Sequence, residues 1–200
     1  MQNIVIYGIK GDRFLLILFS IFFAGCAHPK TESIYYYSWQ TNEDSIPYIF
    51  IANKIEESNN VRQETQYEFN KEIGAITDTV IDYYKITDDA IYKLKNKEDK
   101  QGDCLLTIKQ DTCIEYNHPD KILNIILFSK FCFIGDTILN NTPVYEFLSS
   151  TGKGDGVLCR VYYDRSFILV KEDYIKGDCP DFVKKLTNNI PEEFKKLMEE

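Results

Sequence analysis

The sequence predicts an α+β protein that is mainly β. The expected architecture is a curved antiparallel meander sheet, half-barrel or barrel-like, with a C-terminal helix packed on it. Three observations carry this expectation. Aromatic residues are 14% of the 200-residue chain, with 14 Tyr and 13 Phe against 2 Met, and Tyr and Phe favour pleated, half-buried surfaces. Short apolar runs separated by turn residues succeed one another to about residue 172, without the long helical patterns that βαβ units require. The tail then changes period: Phe182, Leu186, Ile190, Phe194 and Leu197 recur at helical spacing.

The elements follow in order. Residues 34–39 form an aromatic strand, and residues 47–52 the next. Asn59-Asn60 is a turn ahead of 61–69, because Asn tolerates left-handed backbone. Strands 79–86 and 90–94 flank the turn Thr87-Asp88-Asp89. Residues 104–109 and 112–116 read as a tight hairpin around Gln110-Asp111, and 116–120 as a turn. Residues 121–128 fit either a buried strand or a short helix. Residues 143–148 form a further strand. The pair 157–163 and 167–172 is expected to turn at Asp164-Arg165, so that Val161 faces Ile168 and Cys159 faces Val170. Val157, Cys159, Val161, Ile168 and Val170 then share the core face. Pro180 and Pro191 suit helix first turns, which predicts two short helices or one kinked helix across the sheet.

The N-terminus has a different character. Lys10 and Arg13 precede an apolar run over 14–25, broken by Ser20. A spanning helix needs about 20 apolar residues, so this run is too short to cross a bilayer. It has the length of a signal-peptide core behind a positive segment. Small residues then stand directly before a cysteine, in Phe23-Ala24-Gly25-Cys26. In residues 1–26 the chain resembles a bacterial lipoprotein precursor. The resemblance implies cleavage between Gly25 and Cys26 and acylation of Cys26, although Phe23 stands where Leu is usual. Ala27, rather than Asp, follows the cysteine, which implies an outer-membrane destination. The expected organisation is a signal peptide over 1–25, a lipidated tether over 26–32 and one globular domain over 33–200. The bilayer is then a partner, held through the lipid on Cys26. Two or three acyl chains anchor a protein stably where one is marginal.

The formal net charge of −8 argues against nucleic acid as a partner, since phosphate binding needs positive charge. Cysteines of an exported chain tend toward disulfides. Beyond Cys26 these are Cys104, Cys113, Cys132, Cys159 and Cys179, an odd set that leaves a thiol unpaired. In the expected hairpin, Cys104 lies about 13 Å along the strand from the partner of Cys113. That separation is beyond disulfide reach, so the partners come from other strands. The cysteine spacings match no zinc motif, so neither a metal nor any other cofactor is implied.

Signals for catalysis are sparse. Histidine occurs only at His28, beside the proposed lipid, and at His118. The loop Gly152-Lys153-Gly154-Asp155-Gly156 lacks phosphate-cradle spacing and reads as a hairpin loop. Tyr35-Tyr36-Tyr37 and Trp39 offer a surface for stacking on sugars, but alternation sends only every second residue to one face. Asp44-Ser45-Ile46, Asp78-Thr79-Val80 and Asp136-Thr137-Ile138 are similar to a short O-glycosylation motif of Bacteroidetes. The leading expectation is a membrane-anchored cell-envelope lipoprotein with a non-enzymatic binding or structural role toward an envelope protein, glycan or apolar ligand. The alternatives are a periplasmic carrier of an apolar ligand and a carboxylate-dependent envelope hydrolase.

Overall fold

The computed structural model describes residues 31–40, 46–47, 49–120, 125–151, 157–176 and 183–199. Among them, twelve antiparallel strands form one sheet. These are β1 (Thr31–Gln40), β2 (Ile49–Ser58), β3 (Val61–Asn70), β4 (Ala75–Ile86), β5 (Ala90–Leu94) and β6 (Asp103–Thr107), followed by β7 (Cys113–Asp120), β8 (Ile125–Leu139), β9 (Thr142–Thr151), β10 (Val157–Tyr163), β11 (Leu169–Lys176) and β12 (Val183–Leu186). Helix α1 (Glu192–Glu199) follows. The expected mainly-β architecture is therefore the observed one: a curved antiparallel sheet, nearly closed into a barrel, with a C-terminal helix packed on it.

The strand order is β6-β5-β4-β3-β2-β1-β12-β11-β10-β9-β8-β7. Two junctions depart from simple succession. β1 pairs with β12, with Tyr37 opposite Leu186 and Gln40 opposite Val183. β6 and β7, adjacent in the chain, run beside each other at the seam but share no ladder. The expected 104–116 hairpin is thus a correction: its two arms belong to opposite edges of the sheet.

Turn chemistry sets several junctions. Asn59 and Asn60 take φ of 53° and 64°, and Asn140 and Asn141 take 49° and 64°. Both pairs are two-residue turns with the twist that hairpins prefer. Asn bears this backbone more easily than residues that lack a short polar side chain. Asn60→Ala is expected to cost about 1 kcal/mol and Asn60→Gly close to nothing. Urea unfolding of the two variants checks this; equal midpoints would refute it.

Several further expectations need correction. Residues 116–120 are not a turn: β7 continues to Asp120, with His118 opposite Leu127. Residues 121–124 lie outside the described residues, and the ambiguous segment is strand from Ile125 onward. Residues 183–186 are not helical, because they form β12 between β1 and β11. The turn after β10 is also longer than two residues. Tyr163 pairs with Leu169, Val161 with Glu172 and Cys159 with Tyr174, with register shifts on the way. Cys159 and Val161 are buried in the core as expected, but Leu169 and Tyr174, not Val170, join them from β11.

Two apolar clusters result, one on each side of the wall. Inside the barrel, Phe147, Leu106, Ile91 and Val161 form a core with Phe133 and Leu169 against it. On the other face of β1–β3, Phe50, Ala52 and Phe69 pack under Ile190 and Phe194. Pro191 begins the helical turn, its carbonyl accepting from the amides of Phe194 (3.1 Å) and Lys195 (3.2 Å). Glu192 and Glu193 in the first turn and Lys196 in the last complement the helix dipole.

Candidate binding cavity

Alternation along β3 places its aromatic residues outward, under α1, and its charged and amide residues inward. On β3, Tyr67 and Phe69 face the helix cluster. Glu64 and Gln66 point into the barrel and line a cavity of about 260 Å³. Neighbouring strands each add a polar residue to the same cavity, on β2 beside the apolar Ile55, which builds a polar belt. It comprises Glu172 on β11, Lys184 on β12, Tyr37 on β1, Asn53 on β2, Glu64 on β3 and Tyr84 on β4. The rest of the lining is mostly apolar, with Phe131, Val161, Phe167 and Leu169 beside the phenol of Tyr163, and Val161 stands next to Glu172 in the ladder.

Within the belt the carboxylates meet cations. Glu172 stands directly opposite Lys184 across the β11–β12 ladder. Glu64 Oε1 lies 3.8 Å from Arg62 Nη1, and its Oε2 accepts from Asn53 Nδ2 at 3.0 Å. Asp82 forms an ion pair with Lys93 and accepts from the Tyr84 hydroxyl at 3.2 Å. The Lys184 ammonium lies 5.3 Å from the centre of the Tyr37 ring, a cation–π distance. Two buried polar atoms of the cavity lining have no hydrogen-bond partner: Tyr37 Oη and Asn53 Oδ1.

Enclosure shifts the ionisations. Burial raises the carboxyl groups of Glu64 and Glu172 above their ordinary range, against the attraction of nearby cations. Burial lowers the Lys184 ammonium, and Glu172 and Glu64 partly restore it. Burial also holds Tyr37, Tyr84 and Tyr163 in the neutral phenol form. The carboxylate shifts make a stability prediction. Well below pH 4.5 Glu64 is protonated in both folded and unfolded chains. As pH rises from 4.5 through the raised folded value, the folded state bears the cost of the buried charge and stability falls. Glu64→Gln removes this titration. Its melting temperature relative to wild type is expected to rise across that window; parallel curves would refute the shift.

One end of the barrel is closed by the β10–β11 loop. Asp164 Oδ1 accepts from the amides of Ser166 (2.9 Å) and Ile168 (2.8 Å), which folds the loop on itself. Phe167 takes φ of 56° and its side chain is buried against Tyr145, with ring centres 5.4 Å apart. Arg62 fastens this plug. Its Nη1 donates to the Phe167 carbonyl (3.1 Å), its Nη2 to the Ser166 carbonyl (2.9 Å) and its Nε to Glu57 (2.7 Å).

The residues singled out in the sequence are dispersed. Cys113 and Cys132 form a disulfide, directly opposed between β7 and β8 with Cα atoms 4.1 Å apart. Cys104 and Cys159 are free thiols, which corrects their inclusion among the bridging candidates. Burial and then Glu172 push the Cys159 thiol up to about 12, and burial raises Cys104. Neither is poised as a thiolate nucleophile. Of the aromatic run, Tyr36 turns outward against Phe194, Tyr37 enters the cavity, and Trp39 stacks on Tyr174 with ring centres 6.5 Å apart. Gly25, Cys26, His28, the 152–156 loop and Cys179 lie outside the described residues.

Sequence reading did not find the belt, since Glu64, Glu172 and Lys184 resemble the charged residues of a solvated face. Among the described residues, no group of three or more His, Cys, Asp or Glu could hold a metal ion. No helix among them is long and apolar enough to cross a membrane. The structure is thus a barrel-like fold whose interior cavity is compatible with binding a ligand. No protein-family model, curated protein or solved structure matches the chain.

Proposed function

We propose that this chain is a lipid-anchored envelope protein whose barrel holds a small polar molecule in its interior. The observation that carries the binding reading is the pair of buried, unpartnered atoms, Tyr37 Oη and Asn53 Oδ1, facing a cavity of about 260 Å³. Buried polar groups are ordinarily satisfied, and orphans at a cavity wall mark where a ligand or water completes the set. The barrel-like architecture is compatible with an interior carrier. The lining is polar along six strands, so the ligand is polar rather than apolar. The lipid anchor rests on Phe23-Ala24-Gly25-Cys26.

Two measurements test these parts separately. Labelled palmitate is expected to enter the wild-type protein and not Cys26→Ser; no label in wild type refutes the anchor. Native mass spectrometry of protein taken from its own envelope is expected to show a small-molecule adduct, lost on denaturation. A cavity occupied by water alone in a high-resolution crystal structure refutes the binding reading. Tyr37→Phe gives a further check. Removing an unsatisfied buried hydroxyl is expected to stabilise the ligand-free protein by about 1–3 kcal/mol, while weakening retention of the adduct. A destabilised Tyr37→Phe in the free protein would show that water already serves that hydroxyl.

A further inference from the structure

We infer that the molecule held in the barrel is neutral and polyhydroxylated, a ring of monosaccharide size. This rests on the interior site proposed above and specifies its chemistry. The belt already carries its own charges: Glu172 stands opposite Lys184 in the ladder, and Glu64 shares Arg62 with Glu57. An anionic ligand would add charge of the same sign as Glu64 and Glu172, which is far more costly than adding a neutral polar group. The unmet demand is itself neutral: one hydroxyl, able to donate or accept, and one amide oxygen that needs a donor. A ligand hydroxyl meets both demands.

The lining mixes polar and apolar side chains: Val161 stands beside Glu172 in the ladder, and Phe131, Phe167 and Leu169 line the same cavity. A sugar ring presents hydroxyls at its rim and C–H groups on its faces, so its hydroxyls meet the belt while its C–H groups pack on those apolar side chains. The cavity volume of about 260 Å³ suits a ligand of monosaccharide size. Tyr37 and Asn53 lie on adjacent strands, offset diagonally: Tyr37 opposes Ile51, and Asn53 is two residues further along β2. Such diagonal neighbours have backbones about 7–8 Å apart, and both side chains line the same cavity.

The test is calorimetric titration of the mature chain with D-glucose, D-galactose and N-acetyl-D-glucosamine, beside the charged isosteres D-glucosamine and D-galacturonate. At least one neutral sugar is expected to bind, with its charged isostere at least tenfold weaker. Asn53→Ala and Tyr37→Phe are each expected to weaken that sugar at least tenfold. Tyr37→Phe preserves packing, so a loss there is not a folding failure. Binding of charged isosteres as tight as the neutral sugars overturns this inference and leaves the interior-site reading intact. Binding unaffected by both substitutions also overturns it, because the sugar then sits elsewhere. If no neutral sugar binds, the inference fails, and the adduct measurement above decides the broader reading on its own.

Discussion

Replacing Phe194 by alanine is expected to cost about 3–5 kcal/mol, the usual range for emptying a buried aromatic site. Phe194 is fully buried. Its ring stacks on Phe69 with centres 4.8 Å apart and meets Tyr36 edge-on at 6.0 Å. α1 has only eight residues, too few to be stable without tertiary packing. Truncating its one deeply buried anchor is therefore expected to release the helix and expose Phe50 and Phe69. Urea unfolding measures the loss, and hydrogen exchange over 192–199 reports the release. A loss below about 1 kcal/mol with helix amides still protected would show that α1 is held by other contacts. Leu197→Ala, at a position 39% exposed, is the control that should change little.

Arg62→Met is expected to destabilise by a similar amount, about 3–5 kcal/mol, the range for removing one partner of a buried ionic network. Arg62 is only 5% exposed, yet it serves four groups: Glu57, Glu64 and the carbonyls of Ser166 and Phe167. Without it the carbonyls of Ser166 and Phe167 lose their donors. Phe167 also loses the clamp that holds it at positive φ, a conformation that costs of order 1–3 kcal/mol in a bulky residue. The variant should therefore be cleaved faster by protease within 164–168, before global unfolding. Arg160→Met provides the contrast: its pair with Glu146 spans 3.8 Å at a position 57% exposed, where such pairs contribute about 0–1 kcal/mol. Equal losses in the two variants would sink the account of Arg62 as the clamp on the plug.

Strand existence was legible because turn residues punctuate the chain wherever alternation resets. Asn59-Asn60 and Thr87-Asp88-Asp89 marked their junctions, and β5 (Ala90–Leu94) begins and ends at the residues expected. Asn140-Asn141 carries the same signal as Asn59-Asn60 and closes β8 onto β9. The β10–β11 register was not legible because a buried Phe167 looks like a strand residue rather than the tip of a plug. The binding belt was not legible for a deeper reason. A period of two separates the faces of a strand but does not say which face is inside. On β3 the apolar set lies under the helix, and the charged set lines the barrel. Only closure of the sheet, set by pairings between distant residues, decides that.

The position of the β1–β12 ladder orders events in time. Sequence neighbours build β1–β6 and β7–β12 as two local meanders. Joining them requires Tyr37 to find Leu186 across most of the chain. Contacts so distant in sequence form late, since the entropy of closing the loop must first be overcome. Four belt residues come from the first half, Tyr37, Asn53, Glu64 and Tyr84, and two from the second, Glu172 and Lys184. Neither half contains the complete site. A molecule that fills the belt therefore binds only the assembled product and draws assembly forward by mass action. The two halves, produced as separate chains ending and beginning between β6 and β7, should assemble more readily when that molecule is present.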